Sequence, residues 1–558
     1  MKKRLWIYPI LCLSVALLVM TYLRNPIPTI NWEELDLWNS KRALPANIAV
    51  DAYLKGNMAR ENKDLAEAVR AYVAVLEKDP ENISLLEDTY TLAMIQGTLS
   101  PVLPYLKKMK DHKLLLNYAQ ASAFFQDNHP EKALALLAHK KNEKADALLA
   151  PLVRAWLYAA QAEKEKALNE INSLTDFPFV AGYQKVLLGT WFQEDDLIQK
   201  GFSQIGDNAL PAIGYFPLLQ KIIAKKGNWE QAVLNQKYQE LQKTYPATAD
   251  ILVQTGETEI TPSKGIAEAF YLVSALGGGG HFTREESLAA NSLALLLHPD
   301  KQISLVWGAE LAEGLRLPSV ALSYYKRLRF HSATLGFKEA AALMLLHQTQ
   351  QALPKLEQLE KTNQTSVPLL TLLGQAYQDT HQREKAIAIY NRLIPLLEDA
   401  PKNEPLIQAY LARGLLYGPQ ESTKMLRDLK HAQTLAPDNA MLLNDLGYHQ
   451  LEMGLVEEGF DLVQQAYQKQ PNDPYILDSM AFGYWKKGQA NVALPLAERA
   501  LDLMPQSALI NAHLGDIYAA LGRHREAGFQ YKKALDLKTD LDESLAQELT
   551  RKLKEKKS

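Results

Sequence analysis

The chain carries a single cysteine, Cys12, in 558 residues. Everything after it is free of thiols, which excludes disulfides, thiolate metal sites and a cysteine nucleophile from that part. A thiol-free domain also suits an oxidising compartment. Net charge is scarce too: 61 Lys+Arg against 64 Asp+Glu leave -3. No overall field draws the chain to nucleic acid, and no DNA or RNA partner is expected. Catalytic signatures are missing. There is no His-Glu-x-x-His run and no Gly-x-Ser-x-Gly elbow. Histidines such as His298, His381, His449 and His513 are scattered, and single histidines on amphipathic helices are mostly surface or satisfied core residues. Neighbouring carboxylates such as Asp195-Asp196 and Glu457-Glu458 point away from each other on a helix. The run Gly277 to Gly280 has no Gly-Lys-Ser/Thr after it and no strand before it, so it reads as a turn rather than a phosphate loop. No catalytic residue, metal or cofactor is expected.

What the sequence has in abundance is a repeat. Hydrophobic residues at 47% and charged ones at 22% are ordinary globular values, but the length exceeds what one core usually serves. Pro437, Pro471 and Pro505 stand 34 residues apart, as do Gly447, Ala481 and Gly515. That period is the tetratricopeptide (TPR) length. A second small residue follows the first by twelve, pairing Gly447 with Gly459, Ala481 with Ala493 and Gly515 with Ala527. The offset predicts a helix, a tight turn and a second helix, with close approach at the small residues. Ala466, Ala500 and Ala534 are placed to pack on the following repeat, and each proline stops the second helix. The same offset recurs as Gly56 with Ala68, Ala121 with Ala133, Ala155 with Ala167, Ala309 with Ala321, Ala340 with Ala352 and Gly374 with Ala386. Tyr72, Tyr325, Tyr390 and Tyr531 lie four residues after the second small residue. The fold expected is all-α: a TPR solenoid, a right-handed superhelix of helical hairpins, with an N-terminal transmembrane helix.

That helix is read from the uncharged run Leu5 to Leu23, preceded by Lys2, Lys3 and Arg4 and closed by Arg24. Its length of about 28 Å approaches the roughly 30 Å hydrocarbon core. The charge asymmetry predicts a cytoplasmic N-terminus, a single pass through the bacterial inner membrane and an exported array. A cleaved signal peptide is the alternative, with Ser14-Val15-Ala16 as its small-x-small site, though cutting there would leave Leu17 to Leu23 as an apolar terminus. Pro9-Ile10-Leu11 before Cys12 lacks the small residue that lipoprotein processing wants. The expected domains are an anchor over 1–24, a linker over 25–47 with its stiff Asn25-Pro26-Ile27-Pro28, a divergent TPR-like solenoid over 48–250, a C-terminal array over 262–541 that is most regular over 440–541, and a capping helix over 542–558. The motif fades between Phe177 and Ala249, and Ile251 to Pro262 reads as a loop; the array is expected to divide at this break. In the last helix, Leu541, Leu545, Leu549 and Leu553 form one stripe to cover the final repeat, a lipid-binding basic tail being the alternative.

The functional surface of such an array is the face made by its first helices. Inward positions two, five, nine, twelve and thirteen hold Met441, Asn444, Tyr448, Leu451 and Glu452 in one repeat, and Tyr475, Asp478, Phe482, Trp485 and Lys486 in the next. Aromatics beside a few polar groups suit a protein or peptide partner. The competing role for Phe482 and Trp485 is packing on the next repeat. Position five holds Asn444, Asp478 and Ala512 rather than lysine or arginine, so no clamp for a chain-terminal carboxylate is expected.

Leu443-Asn444-Asp445-Leu446-Gly447-Tyr448, Asp473-Pro474-Tyr475-Ile476-Leu477-Asp478-Ser479 and Ile510-Asn511-Ala512-His513-Leu514-Gly515-Asp516 resemble the closing repeats of the bacterial envelope TPR proteins of proteobacteria. The likeness runs from about Ser366 to Leu537 and returns at Ala267-Glu268-Ala269-Phe270-Tyr271. One branch is similar to the TPR lipoprotein adaptors that present peptidoglycan hydrolases to a carboxyl-terminal processing protease. The resemblance implies a non-enzymatic scaffold whose partners are a periplasmic protease or a peptidoglycan hydrolase, and the apolar run adds the membrane anchor and the periplasmic array. An assembly factor for exopolysaccharide or outer-membrane export is the alternative, and a catalytic insertion within Phe177 to Pro262 a third. The chain departs from the family in lacking a lipidation site, and in Pro474, Met480 and Phe482, where the family has glycine, leucine and tryptophan.

Overall fold

The computed structural model describes residues 50–62, 64–106, 115–138, 146–205, 239, 259–277, 282–330, 332–362, 364–398, 404–418, 421–537 and 543–555. Every regular element among them is a helix. The apolar run Leu5 to Leu23 and the linker lie outside the described residues, as do most of 206–258. Among the described residues, no helix is long and apolar enough to cross a membrane.

Paired small residues build the hairpins. A Cβ on Gly447 would sit 2.7 Å from the Gly459 carbonyl, so the two backbones meet where no side chain intervenes. Elsewhere the gap takes a tyrosine ring: a Cβ on Gly515 would lie 2.4 Å from Tyr531, and one on Gly56 2.3 Å from Tyr72. The hydroxyls of these rings donate back to the first helix, Tyr72 to Asn57 at 2.6 Å, Tyr390 to Gln378 at 2.9 Å and Tyr531 to Asp516 at 2.6 Å. A large ring is thus buried with its polar end satisfied. Between the paired helices one residue takes a left-handed backbone. In the regular repeats it is Gly454, Gly488 and Gly522, with φ of 81°, 77° and 73°. Seven residues after Ala121, Ala155, Ala309, Ala340 and Gly374 the slot holds Asn128, Ala162, Arg316, His347 and His381, all at positive φ. Side chains there crowd the following carbonyl, which glycine avoids.

The described chain divides into two compact units, after Leu359. The unit before that point closes on itself. Its helix Ile83–Gln96 packs on Arg284–Leu297, and Asp146–Ala160 packs on Pro262–Ala275. Ser292 donates to the Met94 carbonyl, Gln126 to Leu296 at 3.1 Å and Arg327 to Gly97 at 3.2 Å. A Cβ on Gly265 would fall 2.1 Å from the buried Trp156 ring. Helices on both sides of 206–258 therefore share one core, where the sequence reading placed a division. Within that core Lys301 and Glu268, 1% and 0% exposed, pair at 2.5 Å, and Tyr183 donates to the second Glu268 oxygen at 2.8 Å. A buried charge pair with its remaining oxygen hydrogen-bonded is the form in which such burial is tolerated.

The second unit is built from successive hairpins. We label its last seven helices α1 (Ala440–Glu452), α2 (Val456–Lys469), α3 (Pro474–Lys486), α4 (Ala490–Leu503), α5 (Ala508–Ala520), α6 (His524–Leu537) and α7 (Glu543–Glu555). Asn439, Asp473 and Ser507 cap α1, α3 and α5, each accepting from backbone N–H groups of the first turn at 3.0 to 3.3 Å. Pro471 and Pro505 follow the ends of α2 and α4. Ala466 packs with Ile476 and Ala500 with Ile510, each in the next repeat. On α7, Leu549 is buried, with Leu545 and Leu553 beside it, against the core of α5 and α6. Leu541 lies outside the described residues.

Candidate protein-binding site

Positions two, five, nine, twelve and thirteen of a helix fall on one face, since 3.6 residues make a turn. On α1 and α3 that face carries the nine candidate side chains, and they separate by depth. Met441 and Tyr475 are 38% and 45% exposed. Glu452 and Lys486 are exposed as well, and Tyr448 and Trp485 half-buried. Asn444, Asp478 and Phe482 are buried. Leu451 belongs to the core: it lies against Gly459 and shares a cluster with Val463 and Met480.

Asp478 and Phe482 meet Tyr448 and Glu452 in one network across three repeats. His513, from α5, places Nδ1 2.8 Å from Asp478 Oδ2, and its Nε2 faces the Tyr448 hydroxyl at 3.4 Å. Tyr448 donates to Glu452 Oε1 at 3.0 Å, and His449 Nδ1 lies 2.9 Å from Glu452 Oε2. Phe482 stacks on the His513 ring with centroids 4.6 Å apart and planes at 29°. Its ring also meets Tyr448 at 5.4 Å and Trp485 at 5.5 Å. Lys486 holds its ammonium over the Phe482 and Trp485 rings, at 5.0 and 5.3 Å. The packing role weighed for these two residues is present in both: Phe482 stacks on His513, and Trp485, half-buried, packs against the core that includes α5.

Charge follows from these neighbours. Burial works against the charged form of His513, but Asp478, with Asp516 and Glu452 behind it, outweighs burial and raises its pKa. Burial first, then the Glu452 and Asp478 carboxylates, push Tyr448 well above the phenolic range, so its hydroxyl remains a donor. Glu452 is held below its ordinary value: burial acts upward, and hydrogen bonds from His449 and Tyr448 prevail. Burial lifts Asp445 to about 6. Asp478 Oδ1 and Asn444 Oδ1 are buried with no hydrogen-bond donor among the described residues.

Reading the sequence repeat by repeat left His513 among the scattered histidines. The available signal was its spacing from Asp478, one repeat and one residue, which sets position six of α5 beside position five of α3. Asp516, at position nine of α5, is occupied by Lys552 of α7 at 2.7 and 2.8 Å, so the third repeat contributes little free surface. Among the described residues no cluster of three or more His, Cys, Asp or Glu could hold a metal.

Residues 508–541 match the tetratricopeptide repeat family. The chain is similar to a TPR repeat-containing protein of Pseudomonas aeruginosa, 29% identical over 152 residues that cover 27% of this chain and 25% of that protein. It is similar also to the interferon-induced protein with tetratricopeptide repeats 2 of Homo sapiens, 31% identical over 145 residues, 25% of this chain and 30% of that protein. The chain therefore spans less than a third of the length of either relative. Among solved structures, a tetratricopeptide repeat protein from Parabacteroides merdae matches at 16% identity and a TM-score of 0.38, covering 45% of this chain and 98% of that one. Among the described residues the hairpins form an all-helical, TPR-like array, and the family match covers the last of them.

Proposed function

We propose that the chain is a non-enzymatic scaffold of the bacterial envelope that captures protein or peptide partners on the inward face of α1 and α3. The observation carrying this reading is the pair Met441 and Tyr475, equivalent positions near the starts of α1 and α3 in adjacent repeats, left 38% and 45% exposed, with Glu452, Trp485 and Lys486 farther along the same face. Large apolar side chains held in water by helices, on a face that also carries charge, have the composition of an interface surface. The buried network beneath them fixes the backbone that presents them, so little ordering entropy is lost on binding.

The apolar run Leu5 to Leu23 supports tethering to the inner membrane with the array in the periplasm. The resemblance of Ser366 to Leu537 to the protease adaptors supports a periplasmic protease or peptidoglycan hydrolase as the captured protein. The test is capture by the full chain from envelope extract, read by mass spectrometry, beside a variant carrying Tyr475→Ala and Lys486→Glu. A protease or hydrolase recovered by the parent and lost by the variant supports the proposal. Recovery of secretion or polysaccharide machinery without either enzyme overturns the partner class, and equal recovery by the variant overturns the face. Protease added outside the inner membrane of spheroplasts should digest the array; full protection contradicts the orientation.

A further inference from the structure

We propose that this capture face is switched by one proton: the Tyr448 hydroxyl stands between His513 and Glu452 and turns from one to the other according to whether His513 Nε2 carries hydrogen. The inference rests on reading α1 and α3 as the capture face. Tyr448 Oη lies 3.0 Å from Glu452 Oε1 and 3.4 Å from His513 Nε2, so one hydroxyl hydrogen has two acceptors within reach. The Asp478 carboxylate, 2.8 Å from Nδ1, holds the Nδ1–H tautomer in both states, which leaves Nε2 as the atom that gains or loses the proton. The Phe482 ring, stacked at 4.6 Å, keeps the imidazole from turning away.

With Nε2 protonated, the imidazolium donates to Tyr448 Oη and the hydroxyl donates onward to Glu452. When Nε2 loses its proton to solvent, its lone pair takes the hydroxyl hydrogen. Glu452 Oε1 then loses its internal donor and is left with the His449 contact on Oε2. Since Glu452 is exposed, the freed oxygen faces outward as an acceptor for a partner's N–H or cationic group. The charged and titratable groups around the switch are few. Asp478 comes from α3, with Lys486 above the Phe482 ring; Tyr448, His449 and Glu452 come from α1, as does Asp445, which acts on His449 and titrates at about 6. Asp516 of α5 is paired with Lys552, and Glu548 of α7, which acts on Tyr448, is paired with the same lysine. Burial opposes the imidazolium of His513, and the nearby Asp478, Asp516 and Glu452 carboxylates outweigh it and raise its pKa above the ordinary value.

The switch is testable without a partner. In histidine-labelled full chain followed by NMR across pH, with ring signals assigned through His449→Gln and His513→Gln, the His449 ring should show an inflection at the His513 midpoint. Tyr448→Phe should abolish that inflection while His513 still titrates. No inflection in the parent, or one that survives Tyr448→Phe, overturns the switch. For the protein recovered in the capture experiment, binding to the parent should strengthen about tenfold between about pH 6 and about pH 8, the equivalent of one charge-assisted hydrogen bond, and Tyr448→Phe should flatten the change. Capture that is insensitive to pH while the NMR coupling is present overturns regulation of binding. Absence of any capture bears on the proposed function, and the NMR result alone then decides the switch.

Discussion

The unit before Leu359 and the repeats after Ala440 use the same hairpin and close it differently. In the first, helices far apart in sequence meet. Trp156 fills the space over Gly265, and Lys301 and Glu268 are sealed in a common core. In the second, each repeat touches its sequence neighbours through small residues such as Ala466 and Ala500, and the polar network lies at the edge of the packing rather than inside it. Sequence-local packing preserves a period, because every repeat solves the same problem. Closure breaks it, because each contact across the unit is made once.

The largest effect should come from breaking that closure. Lys301→Met leaves Glu268 buried without its cation and is expected to cost the first unit about 3–5 kcal/mol, with the second unit nearly untouched. Hydrogen exchange along the full chain measures both at once, and equal loss of protection in the two units would erase the distinction. Next, Gly515→Ala forces a methyl against Tyr531 and should cost about 1–3 kcal/mol, with loss of protection centred on α5 and α6.

The pH dependence of the second unit sharpens the comparison further. His513 has its folded pKa raised, so its contribution is fully present below the unfolded value of about 6.5 and is lost as pH rises through the folded one. Denaturant unfolding at stepped pH should show the second unit weakening over that window in the parent, and His513→Gln should remove the slope. The smallest effects sit at the turns. Ala162→Gly and His381→Gly relieve left-handed backbone and should each stabilise by about 1 kcal/mol, while Gly488→Ala should cost about as much, with no side-chain clash to confuse the reading.

Much of the second unit was legible. The twelve-residue offset located the hairpins, and the prolines and Ala466, Ala500 and Ala534 marked helix ends and repeat contacts, because these devices act between sequence neighbours. The left-handed slot between the paired helices was not read from the sequence, since Ala162, Arg316 and His381 adopt it only under the constraint of the hairpin around them. The closure of the first unit left no signal, since Ser292 reaches Met94 across the unit through a contact made once. At the candidate site, helical spacing found Tyr448, Asp478, Phe482 and Trp485 but mixed depths, placing the core residue Leu451 on the face. It missed His513 because the residue belongs to the network only through the step between repeats.

The most direct test of the central claim is the affinity of the captured protein for the full chain and for Met441→Ala, Tyr475→Ala. Both positions are exposed, so circular dichroism and thermal unfolding should be unchanged. Binding should weaken by about tenfold or more, as expected for truncating an aromatic anchor. Equal affinity with an intact fold would contradict the assignment of this face as the site of capture.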